Sequence, residues 1–287
     1  MRYAWLVALL VVLAVVFGRL SRESASDRVE RAAFRAPLAL YTGWVSMATV
    51  LGTAATGVWA GLPGANALAA IAAVVVLLAA GWAFTIWAPI YAGFLVYAGY
   101  QLLPAQRGRE IHRRTGWWAA ASAVFNPLWI VLFGSRLILL AELVLVALLV
   151  VLAVVFGRLS REPAADRVER AAFRGPLALY TGWVSLATVL GTAATGVWVG
   201  LPGDNALAAI AAVVVLLAAA GIVAWVVLSG TAVVPYAAAV AWALIGIALN
   251  SPPAAVVITC AIAIVVVLAS TLRRVTTAGS RVRAAWG

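Results

Sequence analysis

The sequence has no lysine, one cysteine, one histidine and few charges of either sign. Each shortage excludes something. Charged residues make up 10% of the 287 positions, against about a quarter in a soluble globular domain. The lone thiol, Cys260, forms no intramolecular disulfide and lies in an apolar run, the setting of an inert buried cysteine. A single histidine, His112, sits in a charged link and reads as a solvated residue; it builds no metal site. No phosphate-binding loop, nucleophile–histidine pair or haem-attachment motif is present, so enzymatic chemistry has little to rest on and no cofactor is required. Nucleic acid is excluded as a partner by where the charge lies. All 20 basic residues are arginine and the formal net charge is +11, yet the arginines sit in short segments between apolar runs. A nucleic-acid binder would spread them over a polar surface.

What is there is hydrocarbon: 66% of the residues are hydrophobic. Candidate spans fall at 4–19, 37–60, 84–103, 115–134, 137–157, 176–199, 205–228, 232–250 and 253–272, with a further apolar stretch at 66–81. Each approaches or exceeds the length needed to cross a hydrocarbon core of about 30 Å. In lipid the backbone must bond within its own segment, so these are helices. The expectation is an all-α, polytopic helical membrane protein of about nine transmembrane helices, with the lipid bilayer as its first partner. The opening segment, MRYAWLVALLVVLAVVFGRL, lacks a small-x-small cleavage pattern and reads as a retained first span.

Between the spans, GLPGAN at 61–66 and GLPGDN at 200–205 are tight turns. Links 18–35 and 158–175 each carry five arginines against three acids, a net +2; 107–114 is +3 and the tail after Leu272 is +4. Residues 26–35, SDRVERAAFR, read equally as an interfacial helix or a solvated link. Positive links face the cytoplasm, which gives a multi-pass membrane protein with a basic cytoplasmic tail at 274–287. This orientation holds throughout if 66–103 crosses once.

Residues 6–80 match 145–219 at a constant offset of 139 with six differences, among them Ala36/Gly175 and Met47/Leu186. Transporter repeats ordinarily leave only weak internal symmetry. The chain therefore divides into an extra partial copy at 1–81, in the same orientation as its twin, and a main transmembrane bundle at 82–273.

Three polar or aromatic constellations lie inside the spans. In WAFTIWAPIYAGFLVYAGYQ, Phe84, Trp87, Tyr91 and Phe94 recur at three and four and share a helix face. Pro89 is expected to kink that helix, and Tyr100 suits an interface anchor. In FNPLW, Asn126 lies mid-span, where an unpaired amide is costly. Pro127 leaves the carbonyl of residue 123 free to accept from the Asn126 amide, and Trp129 reaches the same interior surface. Thr181, Ser185, Thr188, Thr192 and Thr195 form a polar seam down one helix, repeated as Thr42, Ser46, Thr49, Thr53 and Thr56 in the first copy. Such a seam reads first as close helix packing and second as a pocket wall. Glu142 is the one clear acid inside a span and sits near its outer end.

FTIWAPIY (84–91), FNPLW (125–129) and LYTGWVSLAT (179–188) resemble segments of the tryptophan-rich sensory protein family, the bacterial relatives of the translocator or peripheral benzodiazepine receptor. The resemblance implies a five-helix region, here with extra helices and the duplicated N-terminal segment. It also implies a pocket, opening within the membrane, for tetrapyrroles or other hydrophobic molecules. It places Trp87, Tyr91, Asn126, Trp129, Tyr180 and Trp183 near that pocket, with a porphyrin as the candidate ligand and a homodimer as a candidate assembly. The family's first helix and its Trp/Pro-rich first loop are missing or replaced by 66–83, and three helices follow the matching region. A ligand binder or sensor is the leading function. A small-molecule transporter and a structural membrane protein are the alternatives.

Overall fold

The computed structural model describes residues 83–287 apart from 102, 107, 108, 136, 202–204 and 251. The first copy, its seam, the spans at 4–19 and 37–60 and the crossing number of 66–103 lie outside the described residues. Within them, every regular element is helical: α1 (Trp87–Gln101), α2 (Glu110–Gly134), α3 (Ile138–Arg161), α4 (Arg167–Glu169), α5 (Gly175–Trp198), α6 (Ala206–Ser229), α7 (Val233–Leu249), α8 (Ala254–Thr277) and α9 (Arg281–Trp286). A 3₁₀ turn, Phe84–Ile86, leads into α1, and a π-helical segment, Arg170–Arg174, joins α4 to α5.

Five of these stretches are long and apolar enough to cross a membrane: Glu110–Phe133, Ile138–Arg161, Arg167–Trp198, Ala206–Ser229 and Ala254–Thr277. The chain is thus a polytopic helical membrane protein. α7, with 17 residues, is about 26 Å long at 1.5 Å per residue. α1, with 15, reaches about 22 Å. Leu and Val side chains on the outer faces, such as Leu139, Leu143, Val146 and Val150 on α3, are exposed, as lipid-facing positions of a membrane helix are.

α5 is the hub. It packs against α3 on one side, α7 on another and α1 on a third; α2 backs α3, while α8 and α6 complete the row beyond α7. Two glycines permit the close approaches. Gly93 of α1 lies against the Pro176 ring, and Gly182 of α5 against the Tyr236 carbonyl of α7; a Cβ at either position would overlap that neighbour.

The arginine-rich segments meet at one end of the bundle. Arg283 donates to the carbonyls of Ser160 and Arg161 at 3.3 and 3.2 Å, the Thr231 amide donates to Ser160 Oγ at 3.2 Å, and Arg274 Nε donates to the Gly230 carbonyl at 3.0 Å. Two expected links are largely helix. α2 begins at Glu110, whose carboxylate pairs with Arg113 and Arg114 in the first turn, and arginine and glutamate are good helix formers. The expected link 158–175 narrows to Glu162–Asp166 between helices. The tail is folded as well: α9 turns back on the bundle and buries Ala284 and Ala285.

Candidate ligand site within the bundle

α1 presents a ladder of rings to the interior. Trp87, Tyr91, Phe94, Tyr97 and Tyr100 are all buried, because spacings of three and four keep them on one face. Pro89 does not kink this helix midway. It occupies the first turn of α1, where a missing amide hydrogen has no intrahelical acceptor to lose. Nor does Pro127 interrupt α2, which runs on to Gly134.

Four of the six expected site residues come together from three helices. Trp87 and Tyr91 stack with ring centroids 5.3 Å apart. Tyr180 of α5 meets Trp87 edge-on at 5.3 Å and Phe94 at 6.1 Å. Asn126 of α2 donates through Nδ2 to the Tyr91 hydroxyl at 3.1 Å. The amide therefore bridges helices and does not turn back on the carbonyl of residue 123, because a buried tyrosine hydroxyl lies within reach. Three buried polar atoms of this cluster, Trp87 Nε1, Asn126 Oδ1 and the Tyr180 hydroxyl, have no hydrogen-bond partner among the described residues. The other two residues are peripheral. Trp129 is half-buried at the edge of the same core, 5.8 Å from Phe133. Trp183 is half-buried between this core and the one formed by α5 to α8.

The seam on α5 satisfies itself. Thr181, Ser185, Thr188, Thr192 and Thr195 each donate to the carbonyl four residues back, at 2.7 to 3.0 Å. Thr192 shares its single hydroxyl hydrogen with Glu142 Oε1 at 2.8 Å, which ties the intramembrane acid of α3 to α5.

A second polar constellation lies at the arginine-rich end. Glu169 is fully buried and Arg174 is 1% exposed. Glu169 Oε1 accepts from Arg174 Nε and Nη2 at 3.0 and 2.9 Å, and its Oε2 accepts from Arg109 at 2.7 Å and the Ala165 amide at 3.0 Å. Arg174 Nη1 also caps the end of α3 through the carbonyls of Leu159 and Glu162 at 2.6 and 2.7 Å. Asp166 caps α4 by accepting from the Glu169 amide at 2.8 Å, and it accepts from the Tyr100 hydroxyl at 2.7 Å. Tyr100 is thus a buried donor and not an interface anchor. His112 is half-buried, hydrogen-bonded to Tyr97 at 2.7 Å and set against the stacked pair Tyr97–Phe173. It is not a solvated link residue, because α2 begins before it and turns it toward α1.

Sequence reasoning missed the Glu169–Arg174 pair for a geometric reason. At about 100° per residue, positions five apart in an α-helix do not share a face. The π segment closes bonds between residues five apart and brings them together. Among the described residues no group of His, Cys, Asp and Glu could hold a metal ion.

The profile described as TSPO-like protein matches residues 2–80 and, separately, 75–273. The chain belongs to the TSPO-like protein family. No curated protein and no solved structure matches it. Within this TSPO-like chain, all six expected site residues fall in the second matched region, and α1 through α8 lie almost wholly inside it.

Proposed function

We propose that this TSPO-like chain is a multi-pass protein of the bacterial plasma membrane that binds a flat, hydrophobic ligand of the tetrapyrrole class between α1, α2 and α5. The observation that carries the reading is the trio of unpaired polar atoms at Trp87, Asn126 and Tyr180 inside an aromatic cluster. Buried polar groups are nearly always hydrogen-bonded, and each orphan costs about 1–3 kcal/mol. A tetrapyrrole supplies what the two donors of the trio lack. Its peripheral carboxylates are acceptors for the Trp87 indole and the Tyr180 hydroxyl, and its face is suited to stacking on the rings. Trp87 and Tyr91 must part to admit it.

Titration of the purified protein with protoporphyrin, followed by tryptophan quenching, tests the reading. Saturable binding is expected. Trp87→Ala and Trp129→Ala should each weaken it by a hot-spot share of about 2 kcal/mol, or roughly 30-fold in Kd. Folded variants that bind like the parent would place the site elsewhere. Absence of saturable binding by the parent would leave the aromatic cluster a purely structural element.

A further inference from the structure

A cleft of about 470 Å³ is lined in part by residues of the arginine-rich end and by none of the unpaired trio. Its volume is within the usual range for ligand sites, about 300–1,000 Å³. Pro89 of α1, Pro176 and Leu179 of α5, Pro235 of α7 and Trp286 of α9 give it an apolar wall. Arg167 and Arg170 supply its charge.

Those two arginines have no ion pair among the described residues, whereas Arg109, Arg113, Arg114 and Arg174 do. The neighbouring acids are already engaged. Asp166 holds Tyr100 and the α4 cap, Glu169 holds Arg174 and Arg109, and Glu162 pairs with Arg114. Arg170 Nε is moreover buried without a hydrogen-bond partner among the described residues. Two cationic forks beside an apolar wall, with every local carboxylate committed, call for an anion that carries its own hydrocarbon.

We propose that this cleft binds one anionic phospholipid from the leaflet on the arginine-rich side, its phosphate held by Arg167 and Arg170 and an acyl chain against the proline-rich wall. Guanidinium groups suit phosphate oxygens because their N–H donors are fixed in a fork. Basic pockets between helices on the cytoplasmic side of a membrane are suited to anionic headgroups, and Trp286 is of the type that settles at the interface. A free anion would use the arginines and leave the apolar wall idle. The proposal does not rest on the tetrapyrrole reading, which concerns different residues.

Native mass spectrometry of the full chain, titrated in micelles with phosphatidylglycerol, phosphatidylcholine or inorganic phosphate, tests it. One phosphatidylglycerol should be retained at least tenfold more tightly than phosphatidylcholine. The double variant Arg167→Gln/Arg170→Gln should erase that preference, while Arg113→Gln, an exposed residue paired with Glu110, should keep it. Val282→Trp, an exposed tail position lining the cleft, should lower phospholipid retention with both arginines intact. Equal retention of the two lipids, or a folded double variant that keeps the preference, overturns the proposal. If the double variant does not fold, parent-like retention by Val282→Trp does so instead. Displacement of the lipid by equimolar inorganic phosphate would make this a free-anion site and overturn the lipid assignment.

Discussion

Glu169 and Arg174 carry the sharpest expectations for single residues, because a buried charge is most costly when its partner is removed. With both present, each carboxylate oxygen of Glu169 accepts two bonds. Arg174→Leu removes two of those four bonds and also frees the Leu159 and Glu162 carbonyls at the end of α3. It should destabilise the protein by about 3–5 kcal/mol, the cost of breaking a buried pair, read as a lowered melting temperature in micelles. Asp166 sets a pH dependence. Its carboxyl is held below the ordinary range chiefly by the Glu169 amide, with burial opposing and the Tyr100 hydroxyl assisting. A depressed folded value means that the stabilisation is present above the unfolded value of about 3.9 and is lost as pH falls through the folded one. Asp166→Asn should therefore melt below the parent at pH 7 and converge with it in strong acid. A gap that persists unchanged to the lowest pH would assign the effect to something other than this ionisation.

At the scale of the helix, close packing and hydroxyl chemistry separate at Gly182 and Thr188. Gly182 puts the backbone of α5 against the Tyr236 carbonyl of α7. Gly182→Ala must push those helices apart and should cost about 1–3 kcal/mol, as overpacking does. Thr188, by contrast, spends its hydroxyl on the Val184 carbonyl of its own helix at 2.9 Å. Thr188→Val should cost less than about 1 kcal/mol. A thermal-melt series of the two variants checks both statements, and equal losses would mean that Thr188, too, holds helices together. The aromatic ladder was readable from spacing: 87, 91 and 94 declare one face, and Tyr97 and Tyr100 extend it in the structure. The partner of Asn126 was not readable, since the Tyr91 hydroxyl reaches it from another helix.

At the scale of the whole molecule, the arginine rule and the three-dimensional arrangement of the described residues agree on one end. Arg109, Arg158, Arg174, Arg274 and Arg283 reach across that end to different helices. Cysteines placed at Arg113 and Arg161, in a background lacking Cys260, should resist impermeant thiol reagents in intact cells, while one at Val199 should label. Labelling at both arginine positions would invert the topology. The amino-acid sequence alone determined that the chain is a helical, multi-pass membrane protein, because hydrocarbon length and backbone satisfaction are local properties of each segment. It also showed that residues 6–80 match 145–219, which is a matter of residue identity. Which side chains meet was decided only by tertiary structure. Glu169 reaches Arg174 through a π turn, Tyr100 reaches Asp166 across 66 residues of chain, and the cleft exists because α9 folds back beside α1, α5 and α7. These contacts depend on how helices are rotated and offset against one another, which hydrophobic periodicity along a single segment does not specify.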